Sequence, residues 1–173
     1  MAKTPDEILE EARKLIGTET PVTKGRYPVE YDPIRRFCQM TGDRNPLFLD
    51  PEYAAKTRFG SVICPPALVH LFAGVGWPTQ TINEFLALMP ALGDRPVNLT
   101  VEAEWYKPVR VGDQLYEKMR LVDVYMKPTK LDPKTFWFVV ETIITNQDGD
   151  VVCIDRTTRL RHRTPEQIAQ AGE

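Results

Sequence analysis

The chain predicts an α+β fold, with helices gathered in the first half and an antiparallel sheet in the second. Two observations carry this. Apolar residues recur at helical spacing up to about residue 90, and from Val97 the period drops to two. The strand-like stretches then follow one another with turn residues between them and no helix, which is the pattern of α+β rather than of alternating βα units.

The elements justify themselves in order. Thr4-Pro5-Asp6-Glu7 opens a helix, with Thr4 as cap, Pro5 in the first turn and Glu7 completing a capping box. Ile8, Leu9, Ala12, Leu15 and Ile16 form its apolar stripe, and Gly17 ends it. A loop over 18–26 leads to a short strand from Tyr27 to Tyr31. Asp32-Pro33 starts a second helix, with Ile34, Phe37, Cys38 and Thr41 on one face, and Asp50-Pro51 a short one through Lys56. Pro65-Pro66 opens the most apolar segment, 67–76, which suits a helix buried on most sides, with a strand as its competitor. Thr81 caps a further short helix through Leu88.

The strands are 97–105, half-buried by alternation, then 115–126, 135–146 and 151–163. A turn over 107–113 and a polar loop over 127–134 separate the first three, and Asp148-Gly149 signals a hairpin before the last. Thr164-Pro165 begins a polar tail.

A chain of 173 residues reads as one domain, 1–173, with an N-terminal helix over 1–17 and a tail over 164–173. The formal charge of −2 gives no reason to expect nucleic acid or an anionic membrane as partner. No run of about 18 apolar residues is present, and Met-Ala-Lys-Thr-Pro-Asp-Glu lacks the plan of a signal peptide, so a cytoplasmic location is expected. Cys38, Cys64 and Cys153 are widely spaced in apolar runs and read as buried free thiols. With no CxxC pair and two histidines, no metal site is expected.

Residues 42–48, Gly-Asp-Arg-Asn-Pro-Leu-Phe, are the most informative stretch. They resemble the Gly-Asp-x-Asn-Pro-x-His motif of the MaoC-like, (R)-specific enoyl-CoA hydratase family. Two more blocks extend the resemblance over about residues 27–163: Asp50 to Gly60 with Ile63-Cys-Pro-Pro66, and Glu104-Trp-Tyr-Lys-Pro-Val-Arg-Val-Gly-Asp113. The resemblance implies a hot-dog fold, a sheet wrapped around a central apolar helix. It also implies chemistry on enoyl thioesters of coenzyme A or acyl carrier protein, with no cofactor beyond that substrate.

In the family an Asp and a His hold the reacting water. Asp43 matches the acid and Asn45 the orienting amide, but Phe48 stands where the His belongs, and a phenyl ring carries no proton. Pro66 stands where the family has glycine at the helix start, which removes an N–H donor. Loss of the proton carrier typically costs about 10²–10⁴ in rate, and loss of an oxyanion donor about 10²–10³. The chain therefore resembles the non-catalytic half of a double hot-dog pair, in which a partner carries Asp and His and this half receives the acyl chain.

The single residues keep two readings each. Asp43 is a catalytic remnant or a turn former, Asn45 fixes the loop, and Phe48 is core or tunnel wall. His70 is a core histidine with one backbone hydrogen bond, or the substitute for the lost one. Arg159, Arg161 and Arg163 alternate around His162 and share a face that either grips CoA phosphates or forms a solvated edge; Lys127, Lys130 and Lys134 have the same two readings. Trp77, Trp105 and Trp137 suit packing or an interface, and a bulky apolar substrate gives Trp77 and Phe72 a further use.

Three functions follow. The first is an acyl-thioester-binding subunit paired with a catalytic MaoC-like subunit. The second is a homodimeric hydratase using Asp43 with another acid, and the third a non-enzymatic acyl-CoA binder.

Overall fold

A computed structural model describes residues 3–74 and 80–172. The chain begins with α1 (Pro5–Arg13), whose capping box is present: Thr4 Oγ1 accepts from the Glu7 N–H, and the Glu7 carboxylate accepts from the Thr4 N–H. Leu9 and Ala12 bury its apolar stripe. Strand β1 (Thr23–Lys24) follows, then α2 (Tyr31–Thr41), α3 (Pro46–Leu49) and α4 (Pro51–Ala55). A 3₁₀ turn, Pro66–Leu68, leads into α5 (His70–Ala73), and α6 spans Gln80–Ala87. Strands β2 (Arg95–Trp105), β3 (Tyr116–Met126), β4 (Phe136–Thr145) and β5 (Val151–His162) build the sheet, and α7 (Pro165–Gln170) ends the chain.

All strand pairs are antiparallel, in the order β1-β3-β4-β5-β2. Phe136, Phe138, Val140 and Ile144 alternate along β4 onto one buried face. That face meets two apolar clusters. One joins α1 and α6 to the middle of β3 and β4 through Leu9, Phe85, Met89 and Phe138. The other joins α2, α3 and the 66–73 segment to the hairpin end of the sheet through Ile34, Phe48, Val69, Phe72 and Ile144.

Four expectations change. Residues 27–31 form no strand: Pro28 interrupts the run, Val29 is tied instead to the 112–113 turn (its N–H to Asp113 O and its carbonyl to Gly112 N–H, each 2.8 Å), and Tyr31 already begins α2. Asp32 does not cap α2; it lies in the first turn and pairs with Arg35 and Arg36. The apolar segment is not one long buried helix. Its described part, through Gly74, is a 3₁₀ turn and one α-turn, with Leu71 exposed, and 75 and 76 lie outside the described residues. The alternation of β2 is real, but the strand is the sheet's edge and nothing among the described residues covers it, so Leu99, Val101 and Trp105 are exposed.

The loop after β3 also differs from a purely solvated turn. Asp132 is fully buried and paired with Arg163. Cys38, Cys64 and Cys153 are buried free thiols. Among the described residues no helix is long and apolar enough to cross a membrane.

Candidate functional site

The motif at 42–48 is built by backbone chemistry. Gly42 ends α2 in the left-handed conformation, φ +72°, which glycine adopts without strain. Asp43 Oδ1 then accepts the Asn45 N–H at 2.9 Å, and Asn45 Oδ1 accepts the Leu47 N–H at 3.0 Å, capping α3 with Pro46 in its first turn. Both polar side chains thus hold the loop in shape. The result is to turn Phe48 inward, where it is 8% exposed.

Residues 62–64 are pinned to the 109–111 stretch: Cys64 N–H donates to Val109 O at 2.7 Å and Val111 N–H to Val62 O at 3.2 Å. This fixes where Pro65 and Pro66 begin the 3₁₀ turn. Phe48, Phe59, Pro66, Val69, Trp105 and Lys107 stand around one apolar pocket of about 330 Å³. That volume lies at the lower end of the range for small-molecule sites.

The ionisable side chains on its walls are Cys64, Tyr106 and Lys107. Burial pushes the Cys64 thiol up to about 12. The hydrogen bond to Glu104 raises the Tyr106 phenol above its ordinary value. Lys107 Nζ pairs with Asp150 at 2.6 Å. Neither the thiol nor the phenol is poised to exchange a proton near neutrality, so the walls suit holding an apolar chain rather than moving hydrogen ions.

The structure brings together Phe48 and Pro66, the two positions where the chain departs from the hydratase motif. Asp43 and Asn45 stay on the adjoining loop and are not part of the pocket wall. Phe72 is buried in the same cluster as Phe48. Trp77 lies outside the described residues. His70 does not make the single backbone hydrogen bond expected of a core histidine: its Nε2 sits 2.6 Å from Asp155 Oδ2, with 49% of its side chain exposed.

Arg159 and Arg161 lie at the far end of β5, opposite Phe138 and Phe136 of β4. Arg161 donates to the Leu86 carbonyl at 2.8 Å and stacks over Phe138, so it ties down the C-terminal end of α6. Phe59, Val69 and Lys107 had no expected pocket role, and Trp105 was expected in packing or at an interface; all four line the pocket. The Tyr106-Lys107-Pro108-Val109 run after β2 was the available signal, since it lies within the third motif block.

Five antiparallel strands with helices on one face, and a motif loop beside an apolar pocket, define a hot-dog fold, one shared with a solved MaoC-like dehydratase from Rhodospirillum rubrum. The chain belongs to the FAS1-like, dehydratase domain region family, whose profile matches residues 14–155.

A UPF0336 protein of Saccharopolyspora erythraea is 28% identical over 157 residues, covering 89% of this chain and 93% of the relative. A probable enoyl-CoA hydratase alpha subunit of Thermomonospora curvata is 28% identical over 161 residues, covering 87% of this chain but 50% of the relative. Among solved structures, the ChsH1-ChsH2 complex from Mycobacterium tuberculosis matches with a TM-score of 0.72, 16% identity and coverage of 94% of this chain and 98% of the other; that likeness concerns the fold.

Proposed function

We propose that this chain is the acyl-thioester-binding subunit of an enoyl-CoA hydratase or 3-hydroxyacyl dehydratase, working beside a MaoC-like subunit that carries the catalytic Asp and His. One observation carries the reading: Phe48 and Pro66, which replace a proton carrier and an N–H donor, face the same apolar pocket. The pocket exchanges reactivity for room to hold an acyl chain. The thioester belongs to coenzyme A or acyl carrier protein, and the acyl group to lipid or steroid metabolism.

A partner is supported by β2, an eleven-residue edge strand with Leu99, Val101 and Trp105 exposed. A further ladder on that edge would satisfy its open backbone groups. The test is co-expression with a neighbouring chain bearing Gly-Asp-x-Asn-Pro-x-His. A stable complex with hydratase activity, weakened by Phe48→Arg in this chain, is the expected result. No complex with any such candidate would sink the reading.

A second reading has one observation in its favour. His70 is oriented by a buried carboxylate, an arrangement suited to acid–base work. On that reading the purified chain alone hydrates an enoyl-CoA and loses the activity on Asp43→Ala. Absence of turnover across short, long and steroid enoyl-CoAs removes it.

A further inference from the structure

A cluster of ionisable side chains lies on the helix-bearing face of the sheet, outside the apolar pocket. His70 of α5 pairs with Asp155 of β5, which is 4% exposed and also accepts from Cys153 Sγ at 3.3 Å. Glu117 of β3 closes the other side, so near Gly74 that a Cβ there would stand 2.7 Å from its Oε1. Opposite Asp155 the flanking strands present Thr142 of β4 and Ala103 of β2, neither of which ionises.

The segment 66–74 joins this cluster to the pocket. Pro66 and Val69 are pocket wall, and His70 is the next residue. Beyond it, the Phe72 carbonyl packs so closely on Gly25 that a Cβ there would lie 1.9 Å from the oxygen. The segment's own structure is slight: a 3₁₀ turn and a single α-turn, linked by Val69 N–H to Pro66 O and Phe72 N–H to Val69 O. Turns this short have little stability of their own. Their place is set by what they touch, and the His70–Asp155 pair is the charged contact between this segment and the sheet.

We propose that His70 is a positioning residue for the pocket: its ion pair with Asp155 latches the 66–74 segment to β5, so the imidazole's charge sets where the Pro66 and Val69 wall stands. The acyl-chain reading supplies the ligand for this latch; the latch itself is a property of the chain.

The hydrogen bond to Asp155 raises the His70 imidazolium above its ordinary value. Burial pushes the Asp155 carboxyl up, but its bond to His70 holds it below the usual carboxylate range. Burial raises Glu117, partly offset by His70. The signs give a window. The latch is at full strength between the lowered carboxylate of Asp155 and the raised imidazole of His70, and it weakens as pH rises through the latter. Glu117, once ionised, adds a second negative charge that favours the protonated ring.

NMR titration of the full-length chain tests this. The probes are the His70 ring and the Trp105 indole N–H, assigned with Trp105→Phe. His70 should titrate above 6.5, and the Trp105 indole, standing in the same pocket wall as Val69, should shift with the same midpoint. His70→Gln should abolish that transition, and Asp155→Asn should move both midpoints down together. If Asp155→Asn fails to fold, His70→Gln at a half-exposed position still decides. A Trp105 signal that stays flat through the His70 titration, or a transition that survives His70→Gln, overturns the latch. Decanoyl-CoA as probe should bind more weakly above the His70 midpoint. Its failure to bind at any pH would sink the acyl-pocket reading alone, because the Trp105 readout needs no ligand.

Discussion

Replacing Asp132 by asparagine should destabilise the protein by more than any ordinary surface change. Asp132 is fully buried in the loop between β3 and β4, and Arg163, just past β5, is 5% exposed. The carboxylate accepts from Arg163 Nη2 at 2.7 Å, from Arg163 Nε at 3.1 Å, and from the backbone N–H groups of Arg163 and Lys134 at 2.8 Å each. Burial alone would push this carboxyl up; the Arg163 side chain and the backbone donors prevail and hold it at about 2, against an ordinary 3.8.

Holding the carboxyl at about 2 rather than 3.8 is worth about 2–3 kcal/mol of stability at neutral pH. Because the folded value is lowered, that stability is present above the ordinary carboxylate range and is lost as pH falls toward 2. The Asn variant forfeits more than this, since it leaves the Arg163 charge in the interior: about 3–5 kcal/mol. For a chain of this size each kcal/mol moves the unfolding midpoint about 2–4 °C, so the variant should melt roughly 6–20 °C lower at pH 7. Thermal unfolding followed by circular dichroism measures it, and the gap from wild type should narrow by pH 2–3. A gap under about 2 °C at pH 7, or one that does not narrow in acid, would refute the reasoning.

Other perturbations read different parts of the molecule. Gly25→Ala places a Cβ 1.9 Å from the Phe72 carbonyl oxygen and should cost several kcal/mol, seen as a collapse in the denaturant midpoint. Phe48→Ala removes a buried ring and should cost about 3 kcal/mol, the low end for such a change because the site already opens to a pocket; calorimetry should show longer acyl chains favoured. Glu141, 5% exposed, bridges Arg120 at 2.5 Å and Arg156 at 2.6 Å on the sheet's outer face. Glu141→Gln should cost about 1–2 kcal/mol, moderated by the exposure of both arginines. Those two side chains hold the Glu141 carboxyl below its ordinary value, so the contribution of Glu141 should fade as pH drops through the carboxylate range.

Much of this was legible because its causes are local. The Thr4–Glu7 capping box, the Asp50 cap of α4 and the period-two strands are decided by residues within a few positions of one another. The site was legible as far as position 48 and the Pro65-Pro66 pair carry it. What escaped depends on distant neighbours. Alternation told correctly that β2 is a strand, but burial of a face depends on what covers it, and none of the described residues covers β2. Asp132 and Arg163 meet only because two loops converge at one end of the sheet. Asp155 did leave a trace. It falls between Cys153 and Thr157 at an inward position, and a carboxylate there requires a partner, which His70 supplies. Residues 27–31 misled because two tyrosines and a valine favour a strand, while Pro28 and the Gly112–Asp113 turn decide otherwise.

The bare margin at β2 has a practical outcome. Synthesised without a counterpart, this polypeptide would offer eleven residues of template to any extended segment it met, including those of its own nascent copies. If the proposed partner subunit is what covers this edge, matched output of the two chains would govern yield as much as activity, and a surplus of this one should accumulate as sediment rather than as dissolved monomer.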